Sequence, residues 1–429
     1  MLRSIIAVAA LVLLRFGAAS AQQPPELSLR EVYDLALERN PMVQAALAAA
    51  DATAARQPAA VLPPDPEVRV GAMNLSLPGL SADMPGAMAP SIELMQMLPL
   101  PGKLRLNGEI ARQSTAMALS EAGEVSWEVR ARAAMAFYEV YKADRQIEVM
   151  EETLDWLRQF EQIATTMYSV GSGTQSDVLR AGVEVARMKA DITRMRTMRT
   201  SAVARLNALL DRPDTAPVAS VVFPQLPASL PPADELMQWA EASRPLLARQ
   251  RAGIEQAQAR EELARKEIWP DLSLGVQYGR RGTDVGTEHM GSLMVGFTVP
   301  VFAGRRQLPM RSEAAAMSRM AQAELADARA QVNARITELV ADLDRARTLI
   351  ALYRSEVLPQ AEANITSALG SYRVGRVDFM TLVDAQMSAN QYAQELYALL
   401  ADYGATVAEL EMTIGRELPA TTETIVEEA

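Results

Sequence analysis

Five methionines, Met73, Met84, Met88, Met95 and Met97, fall within 25 residues of a chain that holds 23 Met in 429. Thioether sulfur is a soft ligand that prefers Cu(I) or Ag(I) to hard cations. Met95 and Met97 are two apart, so an extended backbone points both to one side. The competing reading is packing, since unbranched Met fills irregular apolar surface. Other candidates for chemistry are few. Cys is absent and His occurs once, as His289 next to Glu288 in a Gly-rich stretch from Gly282 to Gly291, where a solvated turn explains it. These counts exclude thiol nucleophiles, disulfide scaffolds, iron–sulfur clusters and nearly all zinc sites. No His-Glu-x-x-His, Gly-x-Ser-x-Gly or Gly-x-x-x-x-Gly-Lys pattern occurs, and scattered carboxylates on helical segments read as solvated faces. No catalytic residue, resident cofactor or enzymatic activity is expected. The net charge of −11 argues against nucleic acid as a partner, because phosphate calls for a basic surface.

The elements that would carry the methionines belong to an exported chain. Arg3, the apolar run Ile5 to Leu14 and the small residues Ala19-Ser20-Ala21 read as a signal peptide over residues 1–21. No later stretch has the 18 or more apolar residues that a membrane-spanning helix needs. The remaining possibilities are a periplasmic protein, a secreted one, or an outer-membrane β-barrel.

The chain repeats itself. Tyr168-Ser169-Val170-Gly171 recurs as Tyr372-Arg373-Val374-Gly375, an offset of 372 − 168 = 204, and the same offset carries Asn40-Pro41 onto Arg244-Pro245 and Gly71 onto Gly275. A repeat dictates the fold before any single element does. The organisation expected is a first repeat over 22–215, a Pro-rich linker over 216–232, a second repeat over 233–419 and an acidic tail over 420–429. Each copy reads helix, strand, strand, long helix, helix. Leu325, Val332, Ile336, Leu339, Leu343, Ala346 and Ile350 follow the four–three spacing of a coiled-coil seam. Residues 102–167 would form a helix about 100 Å long, although Gly108 and Gly123 weaken the expectation of an unbroken rod.

Strands are expected at about 67–77, 90–99, 271–281 and 290–300. Leu272, Leu274, Val276 and Tyr278, and Leu293, Val295, Phe297 and Val299, alternate with small or polar residues, as a membrane β-strand or a half-buried soluble hairpin would. Four strands cannot close a barrel, and lipid tolerates no open edge. Two copies of the chain would supply eight strands and three would supply twelve, the number that leaves room for a passage.

Duplicated Tyr-x-Val-Gly segments before long helices, Pro-flanked hairpins and a signal peptide resemble the TolC-like outer-membrane efflux factors. The stretch Pro99-Leu100-Pro101-Gly102-Lys103 after a Met-rich strand is similar to the heavy-metal efflux branch. The resemblance implies a mainly α fold with a small β part, built as a homotrimer whose 12-stranded outer-membrane β-barrel continues into a periplasmic α-helical barrel. It also implies a periplasmic adaptor (membrane fusion) protein, a proton-driven inner-membrane efflux pump and outer-membrane lipid as partners. The Tyr-x-Val-Gly segments would be helix–turn–helix tips, with Tyr168, Gly171, Gly375 and Asp378 where the adaptor docks. Asp384 matches an acidic position at the periplasmic constriction. Asp177 and Tyr372 match positions that pair between neighbouring coiled coils, and Arg376 lies beside Val377, which occupies the position of a further closing arginine. The metal substrate, copper or silver favoured, would be met by Met73, Met84, Met88, Met95 and Met97. A multidrug duct, a periplasmic coiled-coil adaptor without a barrel, and a secreted enzyme are the competing readings.

Overall fold

The computed structural model describes residues 27–81, 87–227, 229–283, 286–419 and 424–425. The signal segment, Met84 and most of the acidic tail lie outside these residues. The first copy runs α1 (Leu29–Arg39), α2 (Pro41–Ala60), β1 (Glu67–Met73), β2 (Met88–Leu98), α3 (Lys103–Ser169) and α4 (Gln175–Leu209). A two-residue strand β3 (Leu226–Pro227) follows. The second copy runs α5 (Ala233–Ser243), α6 (Pro245–Lys266), β4 (Leu272–Thr283), β5 (Gly286–Phe297), α7 (Gln307–Leu352), α8 (Leu358–Arg373) and α9 (Phe379–Ile414), and β6 (Thr424–Ile425) closes the described chain. Each copy thus opens with two short helices rather than one. Asn40 and Arg244, both extended, make those breaks, because the residue before a proline is pushed out of the α region.

The copies differ in one element. α3 is a single 67-residue helix, whereas its counterpart is interrupted by a π turn at Tyr353–Val357. Pro359 lacks the N–H that would continue the ladder, and the Leu358 N–H instead reaches back to the Tyr353 carbonyl. Gly108 does not break α3. A Cβ at Gly108 would lie 2.5 Å from Val61 Cγ1, so the glycine there admits a neighbouring chain at close range.

The chain divides into two compact units, and neither coincides with a sequence copy. One unit holds residues up to Val43, Ser126–Ala240 and those from Ala334 onward; the other holds Gln44–Val125 and Glu241–Asn333. The reason is physical. An apolar stripe along a helix must be buried but does not specify its partner, and near the turns residues of the first copy (Leu157, Val185) and of the second (Tyr372, Leu382) share one cluster.

In the first unit Phe137, Tyr138, Tyr141, Leu206, Leu236, Tyr403, Leu410 and Ile414 are fully or almost fully buried. Tyr138 packs closely against Gly404, where an added Cβ would overlap the ring atoms. Arg130 lies over the Tyr33 ring at 3.9 Å and pairs with Glu411 at 3.3 Å. The segment expected as a linker is part of this core: Val218, Val221, Phe223 and Leu226 are buried, and β3 pairs antiparallel with β6. In the second unit the strands form one antiparallel sheet of order β1-β2-β4-β5. Along α7, whose residues from Ala334 onward belong to the first unit, the seven seam residues from Leu325 to Ile350 are all buried. Among the described residues no helix is long and apolar enough to cross a membrane.

Candidate functional sites: the two faces of the sheet and the helical turns

The strands differ in their ends from the spans expected. β1 stops at Met73, because Asn74 takes a left-handed φ of 55°, and β2 begins earlier, at Met88. The second hairpin is longer at its turn and stops at Phe297, leaving Val299 beyond the ladder.

The pairing register sorts every side chain to a face. Val68, Leu94, Val276 and Leu293 form one row across all four strands, and Val70, Ile92 and Tyr278 continue the next. Leu274 with Val295, and Leu272 with Phe297, complete that face. All of these side chains are exposed, Leu293 at 76% and Val70 at 72%. The opposite face carries Glu67, Arg69, Ser91, Glu93, Gln277, Ser273 and Ser292, with Gly71, Gly275, Gly279 and Gly296 between them. An exposed apolar face this large marks a surface that meets something other than water.

The methionines belong to the polar face. Met95 sits in the row Glu67, Gly275, Met294, and Met97 sits opposite Ser273. Met88 lies over Gly279, with its sulfur 2.8 Å from where a Cβ would be, and Met73 sulfur touches the Gln277 amide. Met290 and Met294, on β5, share the face and were not singled out from sequence. Their signal was present: both lie out of phase with Leu293 and Val295. Met84 falls outside the described residues.

Lys103 of the Pro-Leu-Pro-Gly-Lys stretch has a structural place. Its side chain is 5% exposed, and Nζ lies 2.9 Å from Asp271 Oδ1. Asp271 also accepts from the Leu100 N–H at 2.8 Å, so the β2–α3 turn is tied to the start of β4.

The turns between α3 and α4 and between α8 and α9 are the same structure at an offset of 204. Gly171 and Gly375 take φ of 75° and 69°. Gly171 N–H donates to the Tyr168 carbonyl and Ser172 N–H to Met167; Gly375 N–H donates to Tyr372 and Arg376 N–H to Ser371. This is the Schellman termination, which requires a residue without a Cβ penalty at the left-handed position. The following caps are exchanged. Thr174 caps α4 by accepting from the Asp177 N–H at 3.2 Å, whereas Asp378 caps α9 by accepting from the Thr381 N–H at 2.9 Å. Hydrogen bonds from the Thr381 side chain and backbone hold the Asp378 carboxyl below its ordinary pKa.

Behind the turns, Leu154, Leu157, Phe160, Ala181, Val185, Met188, Ile192, Phe379, Leu382 and Val383 form one apolar cluster with Tyr372. Tyr372 is 5% exposed and meets Phe379 edge-on at 5.6 Å, while Tyr168 is 49% exposed. Burial, and then the Asp177 carboxylate, push the Tyr372 hydroxyl above its ordinary pKa. That hydroxyl has no hydrogen-bond partner among the described residues. Asp384 is exposed between buried Val383 and Ala385, and Arg376 is exposed on the turn. The structure therefore brings Tyr372 and Asp177 together and leaves Asp384 and Arg376 facing outward.

A two-copy, mainly helical chain carrying a small sheet with one apolar and one polar face is the architecture of an outer-membrane channel subunit. The model of the family "Outer membrane efflux protein" matches residues 32–212 and 236–416, two spans again 204 apart (236 − 32), and the chain belongs to that family. A curated relative, the cobalt-zinc-cadmium resistance protein CzcC of Cupriavidus metallidurans, is 23% identical over 324 residues, covering 74% of this chain and 75% of that one. Among solved structures the chain is similar to CusC, with a TM-score of 0.78 at 17% identity over 94% of this chain and 96% of that one. It is also similar to VceC of Vibrio cholerae, with a TM-score of 0.76 at 18% identity over 91% and 96%. The protein is a passive transport duct of the outer membrane with its helices on the periplasmic side, and not an enzyme.

Proposed function

We propose that this chain is the outer-membrane exit duct of a tripartite system that exports metal ions, copper(I) or silver(I) before others. The observation that carries the substrate reading is the sorting of methionines. Met73, Met88, Met95, Met97, Met290 and Met294 all lie on the polar face of the sheet. Met used as filler would be expected on the apolar face as often. Thioethers bind soft monovalent cations weakly and exchangeably, which suits passage rather than storage.

The duct is a homotrimer. Its sheet has two unpaired edges, β1 and β5, and edges do not survive in hydrocarbon. Pairing β5 of one copy with β1 of the next closes twelve strands around three copies, apolar face outward and methionine face inward. The periplasmic end is the pair of turns. Tyr168, Gly171, Gly375 and Asp378 form the surface met by a periplasmic adaptor, which links the duct to a proton-driven inner-membrane pump. Asp177 and Tyr372 hold adjacent helices together, Arg376 supports the closed turn, and Asp384 from three copies rings the constriction.

Deleting the gene and challenging the strain with Cu(I), Ag(I), Co(II), Zn(II), Cd(II), dyes and detergents tests the substrate. Lost tolerance to copper and silver is the expected result. Lost tolerance to cobalt, zinc and cadmium alone would move the substrate to the class named for CzcC, and loss confined to organic compounds would overturn the metal reading.

A further inference from the structure

The apolar face of the sheet has a sharp upper limit. Along β4 it runs Leu272, Leu274, Val276, Tyr278 and then Arg280; along β5 it runs Phe297, Val295, Leu293, Gly291 and then His289. From the Leu272–Phe297 row to the Tyr278–Gly291 row is six residues, about 20 Å at roughly 3.4 Å each, close to the height of a barrel's apolar band. The next row is the direct pair Arg280 and His289. This end is the hairpin end, opposite the ends that join α6 and α7. With the helices in the periplasm it faces the outer leaflet.

Three side chains share this edge on the lipid-facing side, Arg280 by pairing register with His289. Tyr278 Oη and His289 Nδ1 are 2.5 Å apart, and the two rings stack at 5.9 Å with 19° between their planes. Gly291, opposite Tyr278, has no side chain to obstruct that arrangement. This contact occupies Nδ1; where the phenol is the donor, the imidazole proton is on Nε2 and available for a further hydrogen bond. Arg280 is exposed and forms no ion pair among the described residues. Its neighbour Arg281, on the opposite face, is paired with Glu288 at 3.3 Å. Arg281 is thus neutralised on the polar face, while Arg280 lies at the top of the apolar band with no ion-pair partner among the described residues.

We propose that Arg280, His289 and Tyr278 form a binding site for the phosphorylated headgroup of an outer-leaflet lipid. The guanidinium fork matches a phosphate with two parallel hydrogen bonds, and His289 Nε2 supplies a third donor from the facing strand. The apolar rows beneath receive the acyl chains, so headgroup and tail are recognised by one continuous surface. The inference rests on the membrane placement of the sheet argued above.

The test titrates the purified protein in nanodiscs with bisphosphorylated lipid A, with dephosphorylated lipid A of the same acyl chains, and with inorganic phosphate. Wild-type protein is expected to bind the phosphorylated lipid at least about tenfold more tightly than the dephosphorylated one, with Arg280→Gln losing about that factor. Arg281→Gln should bind as wild type. Equal affinity for the two lipids, wild-type affinity in Arg280→Gln, or an equal loss in Arg281→Gln would overturn the site. Saturation by inorganic phosphate alone would overturn the lipid as its source. Outer-membrane fractionation of the same variants separates the two levels. If the sheet is not in the membrane, the wild type itself will not fractionate there; if only the headgroup site is wrong, every variant fractionates normally.

Discussion

Tyr168 and Tyr372 occupy the same position in the two copies, yet Tyr168 is half exposed while Tyr372 is buried against Phe379. The backbone around them is the same Schellman turn, so the difference arises from the surrounding helices. Tyr372 lies within the field of Asp177, which together with burial raises its hydroxyl pKa. The symmetric repeat therefore builds an asymmetric turn region, with one tyrosine exposed and the other packed among the helices.

Asp177→Ala combined with Tyr372→Phe is expected to raise the conductance of the reconstituted trimer by loosening the closed end. Single-channel bilayer recording measures it. Wild-type conductance in the double variant would remove this pair from the gate.

Asp384→Ala should lower cation selectivity and relieve block by divalent cations. Three carboxylates around one axis attract cations strongly where field lines are focused. Reversal potentials under a salt gradient report the change, and an unaltered value would place Asp384 away from the narrow point.

Leu274 and Val295 are direct cross-strand partners on the apolar face. Lysine at either position should cost about 2–4 kcal/mol near mid-bilayer. The heat-resistant trimer in outer-membrane fractions should fall accordingly. Lysine at Ser273, on the opposite face, should be tolerated, and wild-type trimer levels in Leu274→Lys would count against the assigned face.

Lys103→Ala leaves Asp271 without the cation it meets at 2.9 Å. The expected loss is about 1.5–3 kcal/mol, the range for hydrogen bonds to charged groups, read as a lower midpoint in denaturant. Lys103→Arg should recover part of it.

The Asp378 cap is pH-sensitive in a defined direction. Its carboxyl titrates below the ordinary value because Thr381 donates to it. An acid with a depressed folded pKa stabilises the fold above its unfolded pKa, and that contribution disappears as pH falls through the folded one. Amide protection in the first turn of α9 should therefore drop in acid. Asp378→Asn keeps a capping oxygen and should show a flat profile over the same window, as measured by hydrogen exchange.

Much of this protein was legible without coordinates because it is written as period and repetition. The seam from Leu325 to Ile350 is buried as its four–three spacing requires, since a helix can present only one stripe to a neighbour. The strand pairs follow from alternation, and the Tyr-x-Val-Gly copies from the glycine that a left-handed turn needs. Tertiary structure decided what periodicity cannot encode. The compact units cross the copies because a stripe specifies burial without specifying against which segment. Gly108 proved to be a close contact and not a break, because only the position of Val61 distinguishes the two. The linker joined the core through residues whose partners, Leu27 and the β6 segment, are distant in sequence. Above all, register placed Met294 in the row of Met95 across Gly275, Met290 opposite the Gly279 that Met88 covers, and Arg280 beside His289. Alternation assigns a residue to one of two faces, but which residues of separate strands become neighbours depends on hydrogen-bond pairing between them.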